Sequence, residues 1–318
     1  MKSPPIPLHV LALAATVVLW ASAFPAIRVG LPGLGVAGLS VWRLAVASIA
    51  LAMLAPLFKV RVPQRRDLPL IALTGFAGMS AYQVLLNWGE LHVAAGTASL
   101  LVAIAPVFSV LLSAAFLRTR LRLSTIVGSA VALTGAAVIS LTGSSAHLSL
   151  GAVVVLIAAL AQGIYHAAIK PLLSRYTGFE VACYAMWSGT VFVLPLLPIA
   201  IQRLAHAPPS AITAAIYLGL LPSAVGFVTW SYAVARLPVA QSTAALYLVP
   251  PVALIVALVW LGERPRPLEL LGGVIGIAGV VIISRWRPAT DSGHDPVALQ
   301  AVLEELRTAQ IARTPRPL

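Results

Sequence analysis

The polar side chains best placed to bind a solute form a short series, Ser80, Gln83, Asn87 and Glu90. They fall at i, i+3, i+7 and i+10, which is one face of an α-helix, and the residues around them are mostly apolar. Amides and a carboxyl group are costly in lipid, so such residues belong against a bundle interior or a water-filled cavity. On that ground all four are candidate substrate-binding residues. Aromatic residues extend the set: Trp20 and Phe24 stand at i and i+4, and Trp230 with Tyr232 lies in a later apolar run. Amides on one wall and rings on another suit an amphipathic small molecule with a flat or apolar part. The competing reading is hydrogen bonding between helices by the amides and anchoring of the tryptophans at the lipid interface.

Arg43 sits deep inside an apolar run, too far from either end to reach water comfortably. It must pair with Glu90, with a helix-end carbonyl, or with an anionic group on the substrate. Gln162, Tyr165 and His166 cluster in a later run, and Gln241, Thr243 and Tyr247 in another; these join the candidate list. His166 could relay protons near neutral pH or simply make a structural hydrogen bond. No His-Glu-x-x-His, Gly-x-Ser-x-Gly or Walker lysine motif is present, which argues against an enzyme and leaves no cofactor or metal ligand set to name. The lone Cys183 allows no intrachain disulfide.

The elements that must position these residues are membrane helices. Sixty per cent of the residues are hydrophobic and 9% charged, with a mean hydropathy of +0.97, whereas soluble domains carry roughly a quarter charged residues. About 20 apolar residues span the hydrocarbon core. Ten segments qualify: 8–28, 34–58, 69–91, 97–117, 124–142, 149–170, 179–201, 211–235, 241–261 and 268–284. Backbone groups cannot be left unpaired in lipid, so all ten must be helices. The net charge of +12 resides in the short connections between them and reports orientation, with no nucleic-acid partner implied. Lys2, Lys59, Arg61, Arg65, Arg66, Arg118, Arg120, Arg122, Lys170, Arg175, Arg236, Arg285 and Arg287 fall on one side; Arg28, Arg203, Arg264 and Arg266 fall on the other. The positive-inside rule then puts both termini in the cytoplasm of a cell-membrane protein. Lys2, the first apolar run and Ala21-Ser22-Ala23 imitate a cleaved secretory signal, but the second half has a counterpart span at 149–170, which favours retention.

Residues 71–140 reappear at 215–284, shifted by 144 positions without a gap: Gly75 meets Gly219, Pro106 meets Pro250, Arg120 meets Arg264, and Gly135 meets Gly279. Five spans per half is odd, so the second copy inserts upside down, and the arginine pairs agree by falling on opposite sides. The fold expected is an all-α integral membrane protein of ten transmembrane helices, built as two inverted five-helix repeats around a central cavity. Residues 1–143 form the first repeat, 144–285 the second, and 286–318 a polar cytoplasmic tail. In that tail Asp295 and Pro296 open a short amphipathic helix along Leu299, Val302, Leu303 and Leu306. Glycines 128, 135, 272, 273, 276 and 279 give spans five and ten small-residue faces, which scaffold the halves or form a homodimer. Pro106 and Pro250-Pro251 predict kinks at matched places.

The run Trp20-Ala21-Ser22-Ala23-Phe24-Pro25-Ala26-Ile27-Arg28, together with Arg43 and Leu261-Gly262-Glu263-Arg264-Pro265 leading into Gly272, resembles the ten-span drug/metabolite transporters of the EamA family. The resemblance covers roughly residues 8–285. It implies export of small metabolites such as amino acids, related compounds or drugs, by alternating access. One departure is Thr119, where that family often carries a glutamate, which leaves Glu263 without a counterpart. An amphipathic cavity could also pass lipid headgroups, so a flippase is the alternative function, with an intramembrane enzyme a more distant one. The partners expected are thus a small-molecule substrate and the lipid bilayer.

Overall fold

The computed structural model describes residues 7–116, 123–140, 149–237 and 245–285. Gln241, Thr243, the arginines at 118–122 and the whole polar tail lie outside the described residues. Among the described residues there is no strand. The helices are α1 (Leu8–Leu54), α2 (Arg65–Gly89), α3 (Ala95–Val102), α4 (Ala105–Phe116), α5 (Leu123–Ser140), α6 (Leu150–Leu173), α7 (Gly178–Leu204), α8 (Pro209–Val234), α9 (Leu246–Leu261) and α10 (Pro267–Arg285). Helices α1, α2, α6, α7 and α8 are long and apolar enough to cross a membrane, and shorter apolar helices accompany them.

The 47 residues of α1 would measure about 70 Å as one straight helix, more than twice a bilayer core. The break comes at Gly35, whose φ of 63° and ψ of −179° leave the helical region. An L side chain rarely adopts that φ, so glycine marks the break, just inside the second expected span (34–58), while the expected connection at 29–33 is helical.

Polar and apolar residues are distributed inside out relative to a water-soluble protein. Arg43, Gln83, Asn87, Glu90, Gln162 and Ser231 are buried, while Met53, Val191, Val259 and Val274 are more than 60% exposed. Lipid accepts the apolar surface, and the bundle interior shelters the polar groups.

The two halves interleave. Helix α1 packs on α7, α8 and α9, α2 packs on α6 and α7, and α4 packs on α6. Helices α5 and α10, at matched positions of the repeat, also meet each other, and α3 packs on α9. The α5–α10 contact is glycine on glycine: a Cβ added at Gly135 would lie 2.4 Å from Gly276 N, and one at Gly279 would lie 2.4 Å from Ala132 N. The small-residue faces of spans five and ten are thus occupied by one another within a single chain, in the scaffolding arrangement.

The repeat extends to an irregularity. Gly75–Ala81 in α2 and Gly219–Val225 in α8 are both π-helical, and they coincide under the 144-residue shift. Such π turns are rare and concentrate at functional sites.

Candidate functional site

A cavity of about 50 Å³ lies among α1, α2, α3, α4, α6, α8 and α9. Two of its walls are equivalent segments of the repeat. Val102, Ala105 and Pro106 face it from the first half, and Leu246, Val249 and Pro250 from the second; each trio maps onto the other under the 144-residue shift. The helices are interrupted at these places: residues 103–104 form a turn between α3 and α4, and Leu246–Leu248 is a 3₁₀ turn at the start of α9. Proline removes a backbone donor and breaks the helix, and irregular backbone at membrane depth is tolerated where it lines a cavity.

Five of the residues selected from sequence meet at this cavity: Trp20, Phe24, Arg43, Gln162 and His166. Trp20 lies 5.0 Å from Phe227 and 5.4 Å from Trp230 between ring centroids, and it stacks on His166 at 6.4 Å and 15°. Tyr165 and Trp230 do not line the cavity but pack behind His166, at 5.6 and 5.2 Å. Both tryptophans therefore belong to an interior cluster and not to a belt at the lipid interface. The indole of Trp20 is oriented by a hydrogen bond from Nε1 to the Pro222 carbonyl at 3.2 Å, in the π-helical turn of α8. Gly226 leaves room for it, since a Cβ there would sit 2.8 Å from Trp20 Nε1.

The polar series of α2 is placed differently. Ser80, Gln83, Asn87 and Glu90 are all buried, yet none is among the residues facing the cavity; Tyr82 and Leu86 of the same helix face it instead. Asn87 donates from Nδ2 to Ser40 Oγ of α1 at 2.9 Å, as the alternative reading of the amides anticipates. Tyr247 is buried beside the lining residue Leu246.

Arg43 makes none of the contacts with protein groups anticipated for it. Its Nε donates to the Ser223 hydroxyl at 2.7 Å, again in the π-helical turn of α8, and its Nη1 is buried with no hydrogen-bond partner. The Glu90 carboxylate oxygens are likewise buried without partners, although the Glu90 main-chain carbonyl accepts from Arg28 Nη1. Gln162 Nε2 and His166 Nε2 lie 3.3 Å apart, while Gln162 Oε1 and His166 Nδ1 have no partner. The cavity thus offers an apolar and aromatic lining with a cationic fork and a free amide carbonyl in its wall. Among the described residues no group of three metal-binding side chains occurs.

Glu263, without a counterpart in the first half, proves to be a cross-link between the halves. It accepts from the Ala95 backbone N at 3.0 Å, at the start of α3, and pairs with Arg28 Nε at 3.5 Å.

Comparison with known sequences matches the model of the EamA-like transporter family twice, over residues 7–141 and 149–285. The chain belongs to the EamA-like transporter family. It is 68% identical over 274 residues to a probable terminal-alkyne amino-acid exporter of Streptantibioticus cattleyicolor, covering 86% of this chain and 92% of that one. It is 38% identical to the uncharacterized transporter YdfC of Bacillus subtilis, covering 82% and 86% of the two chains. A probable amino-acid metabolite efflux pump of Escherichia coli is 29% identical over 89% of this chain and 98% of its own. A solved crystal structure superposes with a TM-score of 0.61 at 16% identity, covering 89% of this chain and 98% of the other, which supports the fold. This EamA-family chain is a multi-pass membrane transporter.

Proposed function

We propose that this chain exports amino acids bearing a short apolar side chain, terminal alkynes among them. It works in the cell membrane with both termini cytoplasmic, by alternating access between two inverted five-helix repeats. The observation that carries this reading is the make-up of the cavity wall. Aliphatic and aromatic side chains from both halves surround the space, suiting a short, linear, electron-rich side chain. Gln162 Oε1, buried without a protein partner, is an acceptor for an ammonium group. The amino-acid exporter at 68% identity supports the same substrate class. The matched interrupted segments at Pro106 and Pro250 are where two halves rocking about one site would bend.

The test is export from cells. A host expressing the chain is loaded with L-propargylglycine, and intracellular and external amounts are followed beside a vector control. The expected result is lower intracellular retention and growth at concentrations that arrest the control, with weaker effects for hydrophilic amino acids such as serine. Equal retention in both strains, with the protein present in the membrane fraction, would sink the proposal.

A further inference from the structure

We infer that Arg43 is the carboxylate-binding residue of the central cavity, its guanidinium receiving the carboxyl group of the transported molecule. The inference rests on the cavity's being the substrate site proposed above, and it adds the chemistry by which that site would separate acids from amines and neutral solutes. Charges buried in a protein are paired, because removing an ion from water costs more than any single neutral hydrogen bond returns. Arg43 is 3% exposed and it faces the cavity. Its hydrogen bond goes to a neutral hydroxyl, Ser223 Oγ, and Nη1 has no partner. The ion pairs among the described residues use Arg28, Arg61 and Arg175, and the carboxylate oxygens of Glu90 make no hydrogen bond to it. The chain therefore brings a guanidinium to a cavity wall and supplies no anion at bonding distance. A ligand carboxylate completes the pair.

The fork is also held ready for such a partner. Ser223 anchors the Nε side, which restricts rotation and leaves the terminal nitrogens for an incoming anion, the geometry in which Arg binds carboxylates best. Arg43 comes from the first repeat and Ser223 from the second, so an anion bound there contacts a junction between the halves. With its carboxyl group at Arg43, a short amino acid would direct its side chain toward the rings of Trp20 and Phe227.

A purely structural Arg43, clamping α1 to α8 through Ser223, would be indifferent to what the ligand carries. The experiment uses that difference. Purified full-length protein in detergent is titrated with L-propargylglycine, with its carboxamide, and with the acid lacking the amino group, and stabilisation against heat reports binding. The expected result is stabilisation by both carboxylates and roughly 10- to 100-fold weaker binding of the carboxamide, the loss that accompanies one charged hydrogen-bonding partner. Arg43→Gln removes the preference for carboxylates, Arg43→Lys recovers part of it, and Ser223→Ala keeps it in weakened form. Carboxamide binding equal to that of the acid, no stabilisation of the unmodified protein by either carboxylate, or full acid affinity in a folded Arg43→Gln would each overturn the inference. The ligand comparison in the unmodified protein needs no variant to fold. A carboxylate preference in a protein that exports no amino acid would leave Arg43 in this role and remove the export reading instead.

Discussion

Gly135→Ala is expected to destabilise the protein strongly, whereas Gly276→Ala, on the helix facing it, is expected to be nearly silent. The sequence motif alone would predict the reverse emphasis, because Gly272 and Gly276 form the recognisable small-xxx-small pair on α10. At Gly135 an added Cβ would meet Gly276 N at 2.4 Å and Gly272 O at 2.5 Å, backbone atoms that cannot rotate away. At Gly276 the nearest atom to an added Cβ is the Ala132 carbonyl at 3.9 Å, an ordinary contact. Forcing an extra methyl group into a packed interface costs about 1–3 kcal/mol, and the backbone nature of this contact puts Gly135→Ala at the upper end. The apparent melting temperature in detergent should fall by about 5 °C or more for Gly135→Ala, with Gly279→Ala behaving similarly because its Cβ would lie 2.4 Å from Ala132 N. Equal melting of Gly135→Ala and Gly276→Ala would refute the packing described for α5 and α10.

Much of this architecture is legible in the chain because lipid leaves few options. Apolar length gives membrane helices, and the 144-residue shift shows an internal repeat, while the family model matches the chain twice. Arg43 draws notice by the same logic, since an arginine deep in an apolar run needs a reason to be where it is. The polar series of α2 was harder to place. Periodicity shows that Gln83, Asn87 and Glu90 share a face but not which neighbour that face meets, and Ser80 lies in a π turn, through which a period of 3.6 does not hold. That turn has no compositional mark in Gly75–Ala81; only Pro222 hints at it in the second copy. The better signal for the cavity was the pair of matched prolines, Pro106 and Pro250, which line it from both halves. They predict kinks, and the helix breaks they mark also form the walls. The basic residues of the connections carry only a topology signal in the sequence, because a sequence gives no distance between Arg61 and Glu180, 119 positions apart.

Those loop charges support the second strong expectation, that Glu180→Ala loosens the junction between the halves. Glu180 is buried and performs two tasks. At the start of α7 it completes a capping box, accepting from Thr177 N at 2.8 Å while Thr177 Oγ1 accepts from Glu180 N at 3.2 Å. It also receives Arg61 from the connection between α1 and α2, through Nε at 2.7 Å, Nη2 at 2.9 Å and the backbone N at 3.1 Å. The Glu180 carboxylate raises the pKa of the Arg61 guanidinium above its ordinary value, so the pair stays charged throughout the physiological range. A second tie runs alongside: Asp67, buried, accepts from Arg175 Nη1 and from the Tyr176 hydroxyl at 2.7 Å. Removing a cap costs about 1 kcal/mol, and losing charge-assisted bonds to a buried carboxylate costs about 1.5–3 kcal/mol. The Arg61 side chain is 60% exposed, so water screens part of the second term, and about 2–3 kcal/mol in total is expected. Glu180→Gln keeps one acceptor oxygen but replaces the other with a donor and loses the charge, so it should fall between Glu180→Ala and the unmodified protein; Arg61→Lys, which keeps charge without the fork, should cost least. Trypsin reads the same junction directly, since Lys59, Arg61 and Arg65 lie in or beside the connection that Glu180 holds. Faster cleavage there in Glu180→Ala, with melting lowered in the stated order, is the expected outcome. Unchanged cleavage and melting in Glu180→Ala would mean that the ion pair does not hold the halves together on this face.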